Sequence, residues 1–308
     1  MDASQISGWE LWQWSQQART EARAAEIAPG EVDWFLQQVT YLDHLALRLE
    51  SFKTLSQIGL KRPWCEITSL WQRRLSERVP LQYLSGIVNW RHFSLKVSPA
   101  VLIPRPETEL MIDWVAQAVA QATVRSDQGL TSGDWVDLGT GSGAIAFGLA
   151  QVLPNARIHA VDCSAAALDV ARQNAEALQM SGQIPSGQIR FYQGDWWEPL
   201  VSLQGQVSGM VSNPPYIPQA LIPTLQPEVA QHEPHLALAG GADGLDCIRH
   251  LVETAPTYVK SGGVWLVEMM AGQAGGVTIL LQEQGSYSRI QILSDLAGIE
   301  RFVLAYLK

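Results

Sequence analysis

The chain has 308 residues, 47% hydrophobic and 17% charged, which suits one large or two smaller domains with a substantial core and excludes a disordered polymer. A net charge of −9 and a pI near 5.2 give no electrostatic footprint for general nucleic-acid binding. Cys65, Cys163 and Cys247 form no CxxC or zinc spacing and are expected to be reduced, half-buried side chains. The polar start Met1-Asp2-Ala3-Ser4-Gln5 lacks a signal-peptide apolar region. Glu268 and several glycines break the long apolar stretch from Gly262 to Leu281, so a cytoplasmic protein without membrane spans is expected.

In chain order, residues 1 to about 80 form an all-helical region. Leu11, Trp14, Ala18 and Ala25 make a weak helical stripe. Val32, Phe35, Leu36, Val39 and Leu42 then recur at 3–4 spacing after the Pro29-Gly30 break, predicting a helix that runs to about Glu50. Leu70 and Leu75, with Arg73, Arg74 and Arg78, predict another helix ended by Pro80, its arginines on a solvated face. Six of the 12 tryptophans (Trp9, Trp12, Trp14, Trp34, Trp64 and Trp71) fall here and are expected to pack a small core.

Residues 81–100 read as a β-hairpin connector, with Ile87-Val88 pairing across the Asn89-Trp90-Arg91 bend with alternating Phe93, Leu95 and Val97. Two prolines in Ile103-Pro104-Arg105-Pro106-Glu107-Thr108-Glu109 give an extended lead-in to a helix carrying Leu110, Trp114, Val115 and Val119, with Glu107 and Glu109 favourable to its dipole. From residue 133 strand and helix alternate: strands at Trp135–Leu138, Arg157–Val161, Ile189–Tyr192, Val207–Val211 and Val264–Glu268, and helices at Ala144–Val152 and Ala165–Leu178. A final strand pair covers Ile290–Leu293 and Phe302–Leu307. This pattern predicts an α/β fold with a mainly parallel sheet and helices on both faces.

Four strand ends carry chemistry. Asp137-Leu-Gly139-Thr140-Gly141-Ser142-Gly143 lies between a strand and a helix, where glycines permit a tight turn and ligand approach to backbone. It is neither a Walker loop nor a full GxGxxG, since Ala144 follows, and a glycine-rich turn without a ligand is its plain alternative. Asp162 closes the next strand 19 residues after Gly143, where a carboxylate can take ribose hydroxyls of a nucleoside-bearing cofactor. Asp195-Trp196 offers an acid and a ring for an adenine. At the Val207–Val211 strand end stands Asn213-Pro214-Pro215-Tyr216. Proline biases Asn213 to extended backbone, so the Asn side-chain oxygen and the Pro214 carbonyl can accept both hydrogens of a planar NH₂ group while Tyr216 packs against it. Taken alone, this is also an Asn-Pro turn closing a strand. His232-Glu233-Pro234-His235 has no zinc-helix spacing, and no metal is expected.

Asp137 to Gly143 with Asp162 resembles the S-adenosylmethionine site of class I methyltransferases, and Asn213-Pro-Pro-Tyr216 their amino- and amide-nitrogen branch. With Leu102 to Glu109, Glu233-Pro234, Ala237 to Gly241, Asp243 to Asp246, Asp295 to Gly298 and Arg301, the chain from about Pro80 onward resembles the protein-(glutamine-N5) methyltransferases acting on peptide chain release factors. The resemblance implies S-adenosylmethionine held by Gly139, Thr140, Gly141, Ser142, Gly143, Asp162, Trp196 and Asn213. It implies a substrate glutamine, in a Gly-Gly-Gln loop, held by Asn213, Pro214, Pro215 and Tyr216, with Asn213, Pro214 and Tyr216 promoting transfer. It further implies a substrate-recognising helical domain (1–80), the connector (81–100) and a methyltransferase domain (101–308), in a monomer with no stable nucleic-acid partner. Glutamine methylation of a ribosomal protein, adenine-N6 methylation and a cofactor-binding regulator remain as alternatives. Glu268-Met269-Met270-Ala271 departs from the family, which tends to place a Gly soon after the Glu.

Overall fold

The computed structural model describes residues 4–124 and 130–308; the polar start at Met1 to Ala3 lies outside the described residues. The chain divides into two compact units, Met1–Gly86 and Ile87–Lys308.

The first unit comprises β1 (Gln5–Ile6), α1 (Gly8–Ala24), α2 (Glu31–Val39), α3 (His44–Arg48), β2 (Ile58–Gly59), α4 (Trp64–Ser76) and α5 (Leu81–Ser85). A capping box between Ser7 and Glu10 starts α1. The expected all-helical region therefore contains a small antiparallel pair, β1 with β2, too short to show a strand period. The helix expected to reach Glu50 stops at Val39. Thr40 is extended (φ −122°), its hydroxyl donates to the Leu36 carbonyl, and Asp43 caps α3 through the Ala46 N–H. The tryptophans form a core with Phe35: Trp71 is fully buried, 5.6 Å from Phe35 and 6.0 Å from Trp14. Trp9 instead stacks on Trp12 at the surface, with the Lys53 ammonium 3.6 Å from the Trp12 ring. Arg74 corrects the expectation of a solvated arginine face. It is buried and paired with Glu31 at 2.7 Å, so its charge is compensated inside.

The second unit begins with the hairpin β3 (Ile87–Trp90) and β4 (Phe93–Lys96), paired as expected. A 3₁₀ turn (Glu107–Glu109) leads into α6 (Leu110–Val124). Then follow β5 (Asp134–Leu138), α7 (Ala144–Val152), β6 (Arg157–Asp162), α8 (Ala165–Met180), β7 (Ile189–Gln193), β8 (Val207–Ser212), α9 (Pro227–His232), α10 (Asp246–Tyr258), β9 (Val259–Glu268), α11 (Ala274–Gln284), β10 (Tyr287–Ser294) and β11 (Glu300–Leu307). Seven strands form one sheet in the order β10-β11-β9-β8-β5-β6-β7. β9, β8, β5, β6 and β7 are parallel, and β11 and β10 close one edge antiparallel. Every residue of β5 and β8 is buried, which requires cover on both faces of the sheet. On one face Val136, Met210, Trp265 and Val303 pack with Ile248, Leu251, Val277 and Leu281 of α10 and α11. On the opposite face Gly209 leaves room for its neighbour, because a Cβ there would lie 2.3 Å from the Trp135 ring.

The chain runs outward from β5 through β6 to β7, then returns to place β8 on the other side of β5. This reversal makes the β5–β8 boundary a topological switch point, where the strand carboxyl ends open a crevice. Leu138 pairs with Ser212, whose hydroxyl donates to the Leu138 carbonyl at 2.6 Å. The glycine turn and Asn213 thus leave the sheet side by side.

Candidate active site

The glycine turn is shaped by backbone first. Gly139 (φ 76°) and Gly141 (φ 54°) occupy the left-handed region, and a Cβ on either would meet no atom, so the space beside them is open. Gly143 (φ 91°) has a different job. A Cβ there would lie 2.4 Å from the Phe147 ring, so Gly143 allows α7 to start and stands behind the turn. Asp137 lies beneath, fully buried, one carboxylate oxygen accepting from the Thr140 hydroxyl (2.6 Å) and the Ala146 N–H (3.0 Å). Its other oxygen has no hydrogen-bond partner among the described residues, and burial pushes the carboxyl up to about 7. Asn174 of α8 grips the Ser142 carbonyl and both backbone groups of Lys96, tying the turn to the hairpin.

A cavity of about 300 Å³ opens over this turn, lined by Gly139 to Ser142, Asp162, Trp196 and Asn213 together with Leu102, Thr108, Cys163 and Cys247. Asp162 accepts the Gly141 N–H (2.8 Å) on one oxygen and the Ser164 N–H (2.9 Å) on the other, and burial raises its carboxyl above the usual range. Each oxygen keeps a further lone pair for a ligand hydroxyl. Trp196 has a left-handed backbone (φ 50°), an uncommon conformation for a bulky residue, and it lines the cavity. The cysteines are free, Cys65 and Cys163 exposed and Cys247 half-buried; the first two are thus more open than their hydrophobic character suggested.

A second cavity of about 200 Å³ adjoins, lined by Arg105, Tyr216, Ile217 and Leu238; Asn213, Leu102 and Ala237 line both cavities. Asn213 thus borders both spaces. Pro214 is buried, Pro215 lines the larger cavity and Tyr216 the smaller one.

Behind Asn213 runs a polar chain that sequence reading missed. Glu268, at the end of β9 and 2% exposed, accepts the Thr108 hydroxyl at 2.6 Å and the Tyr216 hydroxyl at 3.1 Å. Thr108 in turn accepts from Asn213 Nδ2 at 3.3 Å. Burial pushes Glu268 up to about 7 despite these donors and Arg301, and the same burial, with Glu268 beside it, raises the Tyr216 phenol. The signal was present in Pro106-Glu107-Thr108-Glu109, but the flanking acids drew the helix-capping explanation. Glu109 in fact accepts the Arg91 N–H at 2.7 Å.

The loop is braced from outside as well. The Ile217 N–H donates to the Leu238 carbonyl, the Gly240 N–H donates to the Ile217 carbonyl, and Gln273 Nε2 donates to the Tyr216 carbonyl at 3.0 Å. A Cβ on Gly240 would lie 2.8 Å from the Pro215 carbonyl, so this glycine permits the close approach. Glu233 is buried and paired with Arg105 at 2.6 Å, which joins the Pro104–Pro106 lead-in to the segment after α9; burial raises its carboxyl and Arg105 opposes the rise. No group of three or more metal-ligating side chains occurs among the described residues. Met269 packs in the sheet core, Met270 N–H donates to Gln273 Oε1, and neither methionine is among the residues lining the two cavities. No helix among the described residues is long and apolar enough to cross a membrane.

Comparison with known proteins gives this geometry a context. A family profile described as "Methyltransferase small domain" matches residues 111–231. Release factor glutamine methyltransferases from Synechocystis sp. and Thermosynechococcus vestitus are 52% and 47% identical over 99% of both chains. That of Mycobacterium tuberculosis is 40% identical over 75% of this chain and 71% of its own. Among solved structures, the hMettl16 catalytic domain in complex with MAT2A 3′UTR hairpin 6 superposes with a TM-score of 0.53 at 14% identity, covering 88% of each chain, a likeness of fold alone. The mainly parallel seven-stranded sheet is the class I methyltransferase fold that the sequence resemblance implied. With about half its residues shared over nearly the full length of such relatives, the chain belongs to the release factor glutamine methyltransferase family.

Proposed function

We propose that the protein transfers a methyl group from S-adenosylmethionine to the side-chain amide nitrogen of a glutamine, in a Gly-Gly-Gln loop, of a peptide chain release factor. The family carries the reaction class, and one observation carries the site: Asn213 borders two adjoining cavities at the switch point with its amino group turned back onto Thr108. The larger cavity suits the cofactor. Its wall has two glycines with open space beside them, a strand-end carboxylate with free lone pairs and a tryptophan. In this reading Gly139 to Ser142 approach the cofactor with backbone, Asp162 takes ribose hydroxyls, Trp196 flanks the adenine and Gly143 sets the helix start.

When bound, S-adenosylmethionine supplies a methyl group already activated on a sulfonium. The protein's task is then orientation and exclusion of water. A carboxamide nitrogen is a poor nucleophile because its lone pair is delocalised into its carbonyl. Asn213 Oδ1 and the Pro214 carbonyl accept its two N–H bonds, which turns the nitrogen toward the methyl and favours a pyramidal geometry. As the nitrogen gains the methyl, one of those two protons is released to solvent water. Tyr216 walls the smaller cavity against water and packs beside the flat amide, while Pro215 borders the larger one. The helical domain (1–80) presents the release factor, the segment 81–100, which contains the hairpin Ile87–Lys96, connects, and residues 101–308 carry the transfer. The enzyme acts as a cytoplasmic monomer and forms no stable nucleic-acid complex.

Tritium-labelled S-adenosylmethionine incubated with the enzyme and, in parallel, release factor, ribosomal protein and nucleic acid tests the reading. Label should enter the release factor; label confined to either of the other two refutes the substrate assignment.

A further inference from the structure

We infer that Glu268 and Thr108 are positioning residues that fix which way the Asn213 amide faces, so that its oxygen and not its amino group meets the substrate. The inference rests on the reading above, in which Asn213 accepts a hydrogen from the glutamine amide. The two ends of an Asn amide have nearly the same shape, so packing alone selects poorly between them. Hydrogen-bond polarity selects. Glu268, when ionised, only accepts, and both its oxygens are engaged, one by the Thr108 hydroxyl at 2.6 Å and one by the Tyr216 hydroxyl at 3.1 Å. A threonine hydroxyl has a single proton. With that proton committed to Glu268, Thr108 offers Asn213 only a lone pair, and the group 3.3 Å away must be the donor, Nδ2. Oδ1 is therefore left for the substrate.

The other orientation would set two N–H donors against the two N–H donors of the glutamine amide. The same carboxylate holds Tyr216, so one side chain from β9 organises both ends of Asn213-Pro-Pro-Tyr216. The charged groups acting on Glu268 include Arg301, itself bound to Asp295 at 2.7 Å, and Glu107, and Arg105 acts on the adjoining Tyr216. Because burial pushes Glu268 up to about 7, acidification lets it donate to Thr108 and frees the hydroxyl proton toward Asn213, reversing the polarity. Turnover should accordingly fall as the pH drops below about 7.

The test compares wild type, Thr108→Ser, Thr108→Val and Glu268→Gln in methyl transfer to release factor, with kcat and KM measured across pH. Thr108→Val, nearly isosteric, should lower kcat about 10- to 100-fold, the effect of deleting one partner of a buried hydrogen bond, while KM for S-adenosylmethionine changes little. Thr108→Ser, which restores the hydroxyl, should recover most of kcat. Glu268→Gln should be slow and should lack the acid limb below pH 7. An active wild type with Thr108→Val within twofold of its kcat overturns the inference. Should Thr108→Val not fold, an acid limb unchanged in Glu268→Gln overturns it instead. A wild type that leaves release factor unmethylated refutes the functional reading itself, a different outcome.

Discussion

Replacing Asn213 by Ala and by Asp separates the acceptor role of this side chain from its place in the fold. Ala removes the oxygen proposed to meet the substrate and the donor to Thr108, but the Thr108 hydroxyl still donates to Glu268, so no buried donor is orphaned. Stability should change by about 1 kcal/mol. Losing a preorganised hydrogen bond at the reacting group typically costs about 10²- to 10³-fold in turnover, and Asn213→Ala should fall in that range. The Asn213→Asp variant is more informative. When ionised, its new carboxylate would turn an acceptor toward Thr108, and two carboxylates would compete for one hydroxyl proton. Protonated on the oxygen facing Thr108, the same carboxyl matches asparagine in polarity, with a donor behind and a carbonyl in front. Activity of Asn213→Asp should therefore rise as the pH falls, while that of wild type declines. Single-turnover rates across pH, with thermal denaturation as a control on folding, measure both effects. Asn213→Ala within tenfold of wild type, or an Asn213→Asp profile parallel to wild type, would refute the reasoning.

Other consequences are equally direct. Gly209→Ala puts a methyl 2.3 Å from the Trp135 ring and should destabilise the fold by about 1–3 kcal/mol in denaturant titration. Gly240→Ala pushes against the Pro215 carbonyl and Tyr216 backbone, so turnover should fall about 10-fold or more while S-adenosylmethionine affinity, measured by calorimetry, is largely kept. Burial pushes the Glu268 carboxyl from its ordinary 4.5 up to about 7 in the fold. Its folded pKa is raised, so its contribution to stability is greatest below pH 4.5 and is lost as the pH rises to about 7, on the order of 3 kcal/mol in all. The stability difference between wild type and Glu268→Gln should vary across that window and be flat above it.

Local signals carried the reading where each element is covered by its own neighbours. The buried apolar runs of β5, β6 and β8 and the glycine turn are set by residues close in sequence, and Ala144–Val152 is helical over the span that periodicity predicts. The turn of Thr40 out of α2 depends on a hydroxyl returning to its own helix, which a hydrophobic stripe does not register. Arg74 looked solvated because charge usually lies outside; its partner Glu31 is 43 residues away. The site shows the same division. Asn213, Asp162 and the glycines announce themselves at strand ends. Thr108 hydrogen-bonds Asn213 and Glu268, which lie 105 and 160 residues further along the chain, and only the fold brings the three together. Gly143 belongs to the motif yet serves the helix behind it, a distinction that the Phe147 ring makes and the spacing does not.

The most direct test of the account is peptide mass spectrometry of purified release factor after incubation with this enzyme and S-adenosylmethionine. The account predicts one added methyl on the side-chain amide of the glutamine in the Gly-Gly-Gln loop, absent when Asn213→Ala replaces the wild-type enzyme. An unmodified glutamine alongside methylated nucleic acid or ribosomal protein would contradict it.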